Sequence, residues 1–204
     1  ASLPGAYFHF TVEAKGDREV KVFLIATLRN LAGYDVTDKH FITHAHTGND
    51  YKGYSMTCGG MDPAHSSLGE MGFFSLSDRT SYYLGWEHKH PYYEKLLVSD
   101  RFGDINDTHN RNMETDGKIM ARSSDNNNQR CFSSIGVDHR LQPGQSFNHS
   151  FVFCWNFPNR YGGINGNHGV GEAGYGIDVD RTGIQGHYYN NFFSSSEEVG
   201  IYLM

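Results

Sequence analysis

Several features that would assign a function directly are scarce or absent in this 204-residue chain. Its three cysteines, Cys58, Cys131 and Cys154, are too few for a disulfide framework. No run of 18 apolar residues occurs, so we expect no transmembrane segment. The net charge is -6, and no basic stripe is present to neutralise phosphates. We therefore expect no nucleic-acid partner.

Motifs for catalysis and cofactor binding are also missing. No Gly-x-Ser-x-Gly elbow, phosphate-binding loop or dinucleotide fingerprint occurs in the chain. The first residues, ASLPGAYF, lack the charged and apolar regions of a signal peptide, which by itself assigns no compartment. We expect no cofactor, and the sequence leaves the localisation open.

Aromatic residues and glycine are abundant, with 14 Phe, 13 Tyr and 24 Gly. This composition favours strands joined by turns. Residues 6–13 and 19–30 alternate between apolar and polar positions, as half-buried strands do. The residues between them, Lys15-Gly16-Asp17-Arg18, are typical of a turn. We therefore predict that these two strands form an antiparallel hairpin.

Further apolar segments predict more strands, and the fold class is therefore all-β. The densest apolar run, FNHSFVFCWNFP at residues 147–158, follows a Pro-Gly turn and is predicted to be the last core strand. Residues 92–98 fit either a helix or a strand, and residues 100–128 are predicted to be a long polar loop region. Together, the predicted strands indicate an antiparallel β-sandwich. Its other strands are placed at residues 41–46, 51–58, 72–76, 82–86 and 131–141.

The chain changes character after this last core strand. Residues 159–193 are rich in Gly and Asn and are predicted to be a linker. The serines and glutamates of residues 194–198 offer a capping box, which predicts a short linker helix over 194–204. Val199, Tyr202 and Leu203 would form its apolar face, with nothing after it in the sequence to pack on. We therefore predict a sandwich domain at 1–158, the linker, and the start of a helix that leads to an absent domain.

Three segments, taken in order, resemble glycoside hydrolase family 116, which includes bacterial β-glucosidases and non-lysosomal glucosylceramidases. LPGAYF at residues 3–8 and the following TVE are similar to the family's SLP-x-A-x-F hairpin. LQPGQ at 141–145, followed by residues 151–158, is similar to its L-x-P-G turn and F-x-L-x-W-D-x-P strand. YYNNFF at 188–193 is similar to its R-x-Y-x-x-x-F segment before a helix. Asn156 stands where the family usually has Asp.

The resemblance implies the N-terminal β-supersandwich domain of such an enzyme, beginning upstream of residue 1. The expected partner is an (α/α)6 catalytic domain of the same protein, which would carry the two carboxylates of a retaining mechanism. We therefore assign no catalytic residue in this chain and expect a supporting, non-catalytic role. Aromatic residues of the last fifty positions are assigned to the interface with the catalytic domain, namely Trp155, Phe157, Tyr188, Phe192 and Phe193.

Two other functions remain open from the sequence. Tyr92 and Tyr93, beside Pro91, would stack on sugar rings in a stand-alone carbohydrate-binding sandwich, with a glycan as its partner. Alternatively, the histidines of residues 40–46 would hold a metal in a self-contained metal-dependent enzyme, because alternate residues of a strand share one face. Their spacing matches no recognised zinc pattern, so we assign no metal site. The histidines concerned are His40, His44 and His46.

Overall fold

The computed structural model describes residues 3–36, 39–99, 101–106, 113–115, 118–122, 131–159 and 186–204. These residues form eleven strands, two α-helices and one 3-10 turn, Tyr188–Asn191. The helices are α1 (Lys89–Val98) and α2 (Ser196–Leu203). The strands are β1 (Gly5–Glu13), β2 (Val20–Arg29), β3 (His40–Thr47), β4 (Lys52–Gly59), β5 (Glu70–Ser75), β6 (Thr80–Trp86), β7 (Ile105–Asn106), β8 (Met113–Thr115), β9 (Lys118–Arg122), β10 (Phe132–Leu141) and β11 (Ser146–Asn156).

The strands form two sheets that face each other. The larger sheet has seven strands in the order β1-β11-β5-β4-β3-β9-β8, and the smaller has four in the order β2-β10-β6-β7. Every pair is antiparallel except the short pairing of β6 with β7. The predicted all-β sandwich is therefore confirmed. The core between the sheets consists of Tyr54, Met56, Met71, Phe73, Leu84, Ile135, Val137 and Phe151.

Residues 92–98, whose sequence fits either a helix or a strand, lie in helix α1. Pro91 lies in the first turn of α1, where its missing N–H would have no helical partner in any case. Tyr92 and Leu96, four residues apart, share the helix face that packs on the smaller sheet.

The Gly-rich part of the predicted linker lies outside the described residues. No described helix has the length and apolar character needed to cross a membrane.

The predicted hairpin of β1 with β2 is wrong, because the two strands belong to different sheets. β1 pairs with β11, from Gly5 opposite Cys154 to Glu13 opposite Ser146. β2 pairs instead with β10 in the smaller sheet. The turn between β10 and β11 makes the same crossing between sheets.

The packing of their apolar faces explains why β1 and β2 lie in different sheets. Phe8 and Phe10 of β1 meet the rings of Phe73 and Phe151 in the core, and the apolar face of β2 packs on that core from the opposite side. The connection is held beside the β10–β11 turn, where the Ala14 amide donates to the carbonyl of Gln145 at 2.9 Å. Both apolar faces thus contribute to one interior from opposite sheets.

A helix covers part of each outer sheet face. α1 covers the smaller sheet, whereas α2 packs on the larger one, with Val199 fully buried against Phe74, Val152 and Cys154. A Cβ on Gly200 would lie 2.8 Å from the Phe74 ring, so glycine permits this close approach of the helix. Val199 and Leu203 of the predicted apolar face therefore pack on the sandwich that precedes α2 in the sequence, whereas Tyr202 of that face is exposed.

Prediction: the buried His149 makes stability depend on pH. Its ring packs against Phe151, and its Nε2 lies 3.3 Å from the hydroxyl of Ser75. Burial lowers the pKa of His149 to about 4 from an ordinary value of 6.5. Between about pH 6.5 and pH 4 the unfolded chain therefore binds more protons than the folded one, and the free energy of unfolding falls as the pH is lowered.

Urea denaturation at several pH values between 7 and 4 measures this effect. His149→Gln should reduce the loss of stability across the window by up to about 1 kcal/mol per pH unit. His88→Gln is the control, because the side chain of His88 is 70% exposed. An unchanged pH slope in His149→Gln would contradict the assignment.

Candidate docking surface around the C-terminal helix

Five exposed apolar side chains lie on α2, on the segment before it and on β1, and we call them the aromatic surface. The rings of Tyr188 and Phe192 contact each other at 5.3 Å and are 64% and 63% exposed. Tyr202 and Ile201 of α2 are 66% and 50% exposed. Tyr7 of β1 is 46% exposed, and its hydroxyl donates to the carbonyl of Leu203, which joins β1 to the helix end.

The segment before α2 is tied to the end of β11 by side-chain hydrogen bonds. Asn156 donates through its amide nitrogen to the carbonyl of Phe193 at 3.2 Å and accepts from the Asn190 amide at 2.8 Å. Tyr189 donates its hydroxyl to the carbonyl of Phe157 at 3.2 Å. An aspartate at position 156 would accept but not donate, so the asparagine that departs from the family pattern suits both partners.

Two carboxylates, one on α2 and one on β5, accept hydrogen bonds at the start of α2. Ser195 is the N-cap and accepts from the Glu198 amide at 3.1 Å, as the predicted capping box requires. The carboxylate of Glu198 accepts from the Ser194 amide at 2.7 Å, one residue before the N-cap, and this bond lowers the pKa of Glu198. Glu70 of β5 accepts from both the amide and the hydroxyl of Ser196. Each carboxylate satisfies N–H groups at the helix N-terminus.

A four-residue hydrogen-bonded chain joins α2 to the centre of the larger sheet. His46 Nε2 lies 2.8 Å from the hydroxyl of Ser55, and His46 Nδ1 lies 3.0 Å from Oε1 of Glu197. Tyr51 donates its hydroxyl to the same oxygen of Glu197 at 2.7 Å. Burial and the Glu197 carboxylate raise the pKa of Tyr51 to about 12, which keeps the phenol protonated as a donor.

The serine, histidine and glutamate have the connectivity of a catalytic triad, but their environment is structural. Ser55 is 1% exposed and lies on a central strand, so its hydroxyl offers no access to a substrate. Each ring nitrogen of His46 is already hydrogen-bonded, and Phe74 packs beside the ring at 5.7 Å. The chain of contacts therefore fastens α2 to the sheet.

The five residues assigned to a domain interface differ in exposure. Tyr188 and Phe192 lie open on the aromatic surface. The other three are half-buried: Trp155 contacts Phe153 on the core side of β11, and Phe157 bonds to Tyr189 through its backbone. Phe193 lies between the sheet and the Tyr202 ring.

The residues considered for sugar stacking lie on α1, over the smaller sheet. Tyr92 is only 8% exposed, and its ring stacks on Trp86 at 4.3 Å and on Tyr83 at 6.0 Å. The Tyr92 ring is thus already packed against protein rings. Tyr93 is 53% exposed, so its ring is the more open of the two.

The three histidines considered for a metal do not converge. His44 and His46 lie side by side on β3, with ring centroids 6.1 Å apart. His40 stands against Gly59 near the other end of the strand. Across the described ranges no group of three or more His, Cys, Asp or Glu could hold a metal ion.

Nothing in the sequence indicates which residues hold α2 on the sheet. Glu70, Ser55 and Asn156 sit in ordinary strand patterns, and only the sheet register brings them beside the helix. Glu197 stands within the predicted capping box, which marked its position but not its partner His46.

Comparison with known proteins gives one family match. The family model described as beta-glucosidase 2, glycosyl-hydrolase family 116 N-term, matches residues 1–203. No curated protein matches the chain.

Prediction: Glu197→Ala should loosen α2 without unfolding the sandwich. The variant removes the shared acceptor of Tyr51 and His46, and hydrogen bonds to a charged group contribute about 2 kcal/mol. Amide hydrogen exchange of Val199 and Gly200 should accelerate accordingly.

The control is Glu94→Ala on α1, whose 3.5 Å contact with His90 is exposed and should contribute little. Exchange rates in α2 that are equal in Glu197→Ala and the unmodified chain would show that the contact does not fasten the helix.

Proposed function

The chain belongs to the N-terminal domain of glycoside hydrolase family 116, and from this premise we propose that it does no chemistry itself but supports the catalytic domain of the same protein. The catalytic domain would be the (α/α)6 barrel of a retaining β-glucosidase or glucosylceramidase-like enzyme. In this arrangement the sandwich is a scaffold against which the barrel is held.

The observation that supports this role is the exposure of the aromatic surface. Tyr188, Phe192 and Tyr202 are each more than 60% exposed, although they are held by a well-bonded segment. Fully burying one such ring stabilises an interface by roughly 2 kcal/mol. Exposed rings on a fixed support are typical of a docking face. They also lie on α2 or on the segment just before it, which the resemblance places directly before the catalytic domain.

The carboxylates around α2 favour a structural rather than a catalytic role. Glu70 and Glu197 both accept hydrogen bonds that hold the helix. A glycosidase needs two carboxyl groups that face a sugar from opposite sides. Carboxylates already engaged with backbone and side-chain donors are poorly suited to that task.

A carbohydrate-binding sandwich that acts alone receives less support from the residues first considered for it. Of the two tyrosines, only Tyr93 presents an exposed ring. One ring is a smaller platform than the aromatic surface, which favours the supporting role.

Prediction: docking should protect the aromatic surface from solvent. Hydroxyl-radical footprinting of the isolated chain and of the complete enzyme would compare the labelling of Tyr188, Phe192 and Tyr202. We expect severalfold lower labelling in the complete enzyme. Tyr34 and Leu97, which are 75% and 86% exposed away from α2, serve as controls and should label equally.

A matched pair of variants separates docking from folding. In the complete enzyme, Phe192→Ser should weaken the domain contact by about 2 kcal/mol, whereas Leu97→Ser should have no effect. In the isolated chain neither change should alter stability appreciably, because both side chains are exposed. Equal labelling of the aromatic surface in both proteins would overturn the proposed role.

A further inference from the structure

A cleft of about 590 Å³ lies at one end of the larger sheet, and none of its lining residues belongs to the aromatic surface. It opens between the β3–β4 turn, residues 47–52, and the β5–β6 turn, residues 76–78. Its volume is in the range that holds a small ligand such as one or two sugar rings.

The lining of this cleft combines polar side chains with apolar surface. Asp50, Asn49 and Asp78 contribute carboxylate and amide groups, which suit the adjacent hydroxyls of a sugar. Tyr51 and Leu76 contribute apolar surface, and Leu76 is 56% exposed. The C–H face of a pyranose packs on such surface.

Charge narrows the class of ligand. Lys52 is the cation of the lining, and its ammonium group is paired with Asp104 at 2.8 Å. Asp50 and Asp78 therefore leave the cleft with an excess of negative charge, which disfavours phosphates and acidic sugars. The described residues offer no group of three or more His, Cys, Asp or Glu for a metal ion. The charge leaves neutral and cationic ligands, and the amide of Asn49 beside the apolar surface of Tyr51 and Leu76 favours a neutral polyhydroxylated one.

Tyr51 connects the cleft to α2. Its ring lines the cleft and covers Gly48 so closely that a Cβ there would lie 2.1 Å from the ring. Its hydroxyl donates to Glu197, which is also bonded to His46. A ligand that moves the Tyr51 ring would thus disturb the contact that fastens the helix.

We infer that this cleft binds a neutral sugar and that Tyr51 transmits its occupancy to α2. The inference does not depend on the proposed docking role, because none of the cleft residues belongs to the aromatic surface. It assigns a sugar site to the loops at the end of the sandwich.

Titration of the chain with methyl β-glucoside and cellobiose, followed by backbone amide NMR, tests the site. We expect saturable shifts in residues 47–52 and 76–78. The double variant Asp50→Ala/Asp78→Ala should weaken binding by about tenfold or more. Asp17→Ala is the matched control, because that carboxylate is 93% exposed and lies outside the cleft. The Asp17→Ala variant should bind both sugars with the same affinity as the unmodified chain.

Tyr51→Phe tests the connection to the helix. It keeps the ring in the cleft and removes the hydroxyl bond to Glu197, so sugar should still shift the loop amides but no longer those of Val199 and Gly200. Absence of saturable loop shifts at millimolar sugar would overturn the site, as would unchanged binding in the double variant. Binding of tetramethylammonium in preference to both sugars would also overturn the assignment. Helix shifts that persist in Tyr51→Phe would overturn the transmission.

Discussion

The structure depends on β11, a strand whose two faces and two edges are all occupied. Phe151 points into the core between the sheets and is fully buried, whereas Val152 and Cys154 face outward beneath α2. β1 and β5 pair along its edges. Burial on both faces explains why residues 147–158 form the densest apolar run, since a strand with one solvent-exposed face would alternate apolar and polar residues. At its end, Asn156 fastens the segment that leads into α2.

The position of α2 follows from this strand, and so does the proposed function. Val199 provides the apolar contact, but the direction of the helix is set by polar bonds from Glu70 and from the chain Ser55–His46–Glu197. Buried polar contacts are directional, so they fix orientation more narrowly than apolar packing does. A rigidly placed helix is what a scaffold needs in order to hold a second domain. The same bonds reach the cleft through Tyr51, whose hydroxyl also binds Glu197.

The sequence predicted the eight longer strands well because alternation and apolar runs are local. It was wrong over residues 100–128, predicted to be a polar loop region, where the short strands β7, β8 and β9 lie and β9 pairs with β3. It could not predict partners: β1 and β2 both alternate around a turn-like connection, yet they pair with β11 and β10 in different sheets. The choice rests on packing the apolar faces of both strands against one core, with Phe8 and Phe10 of β1 at its edge, 45% and 39% exposed. No local pattern records this arrangement. Likewise, His46 attracted notice as a metal ligand, but its partners Ser55 and Glu197 are brought to it by register and by helix docking. The resemblance to the family rested on ordered segments across the chain, and the family match confirms it.

The proposed supporting role requires that this domain hydrolyse no glycoside by itself. The most direct measurement is the hydrolysis of an aryl β-glucoside by the purified chain at high protein concentration. We expect a rate equal to that of buffer, with the unmodified chain and with Glu70→Gln alike. Turnover above that of buffer that is abolished by a single acid-to-amide substitution in this chain would contradict it.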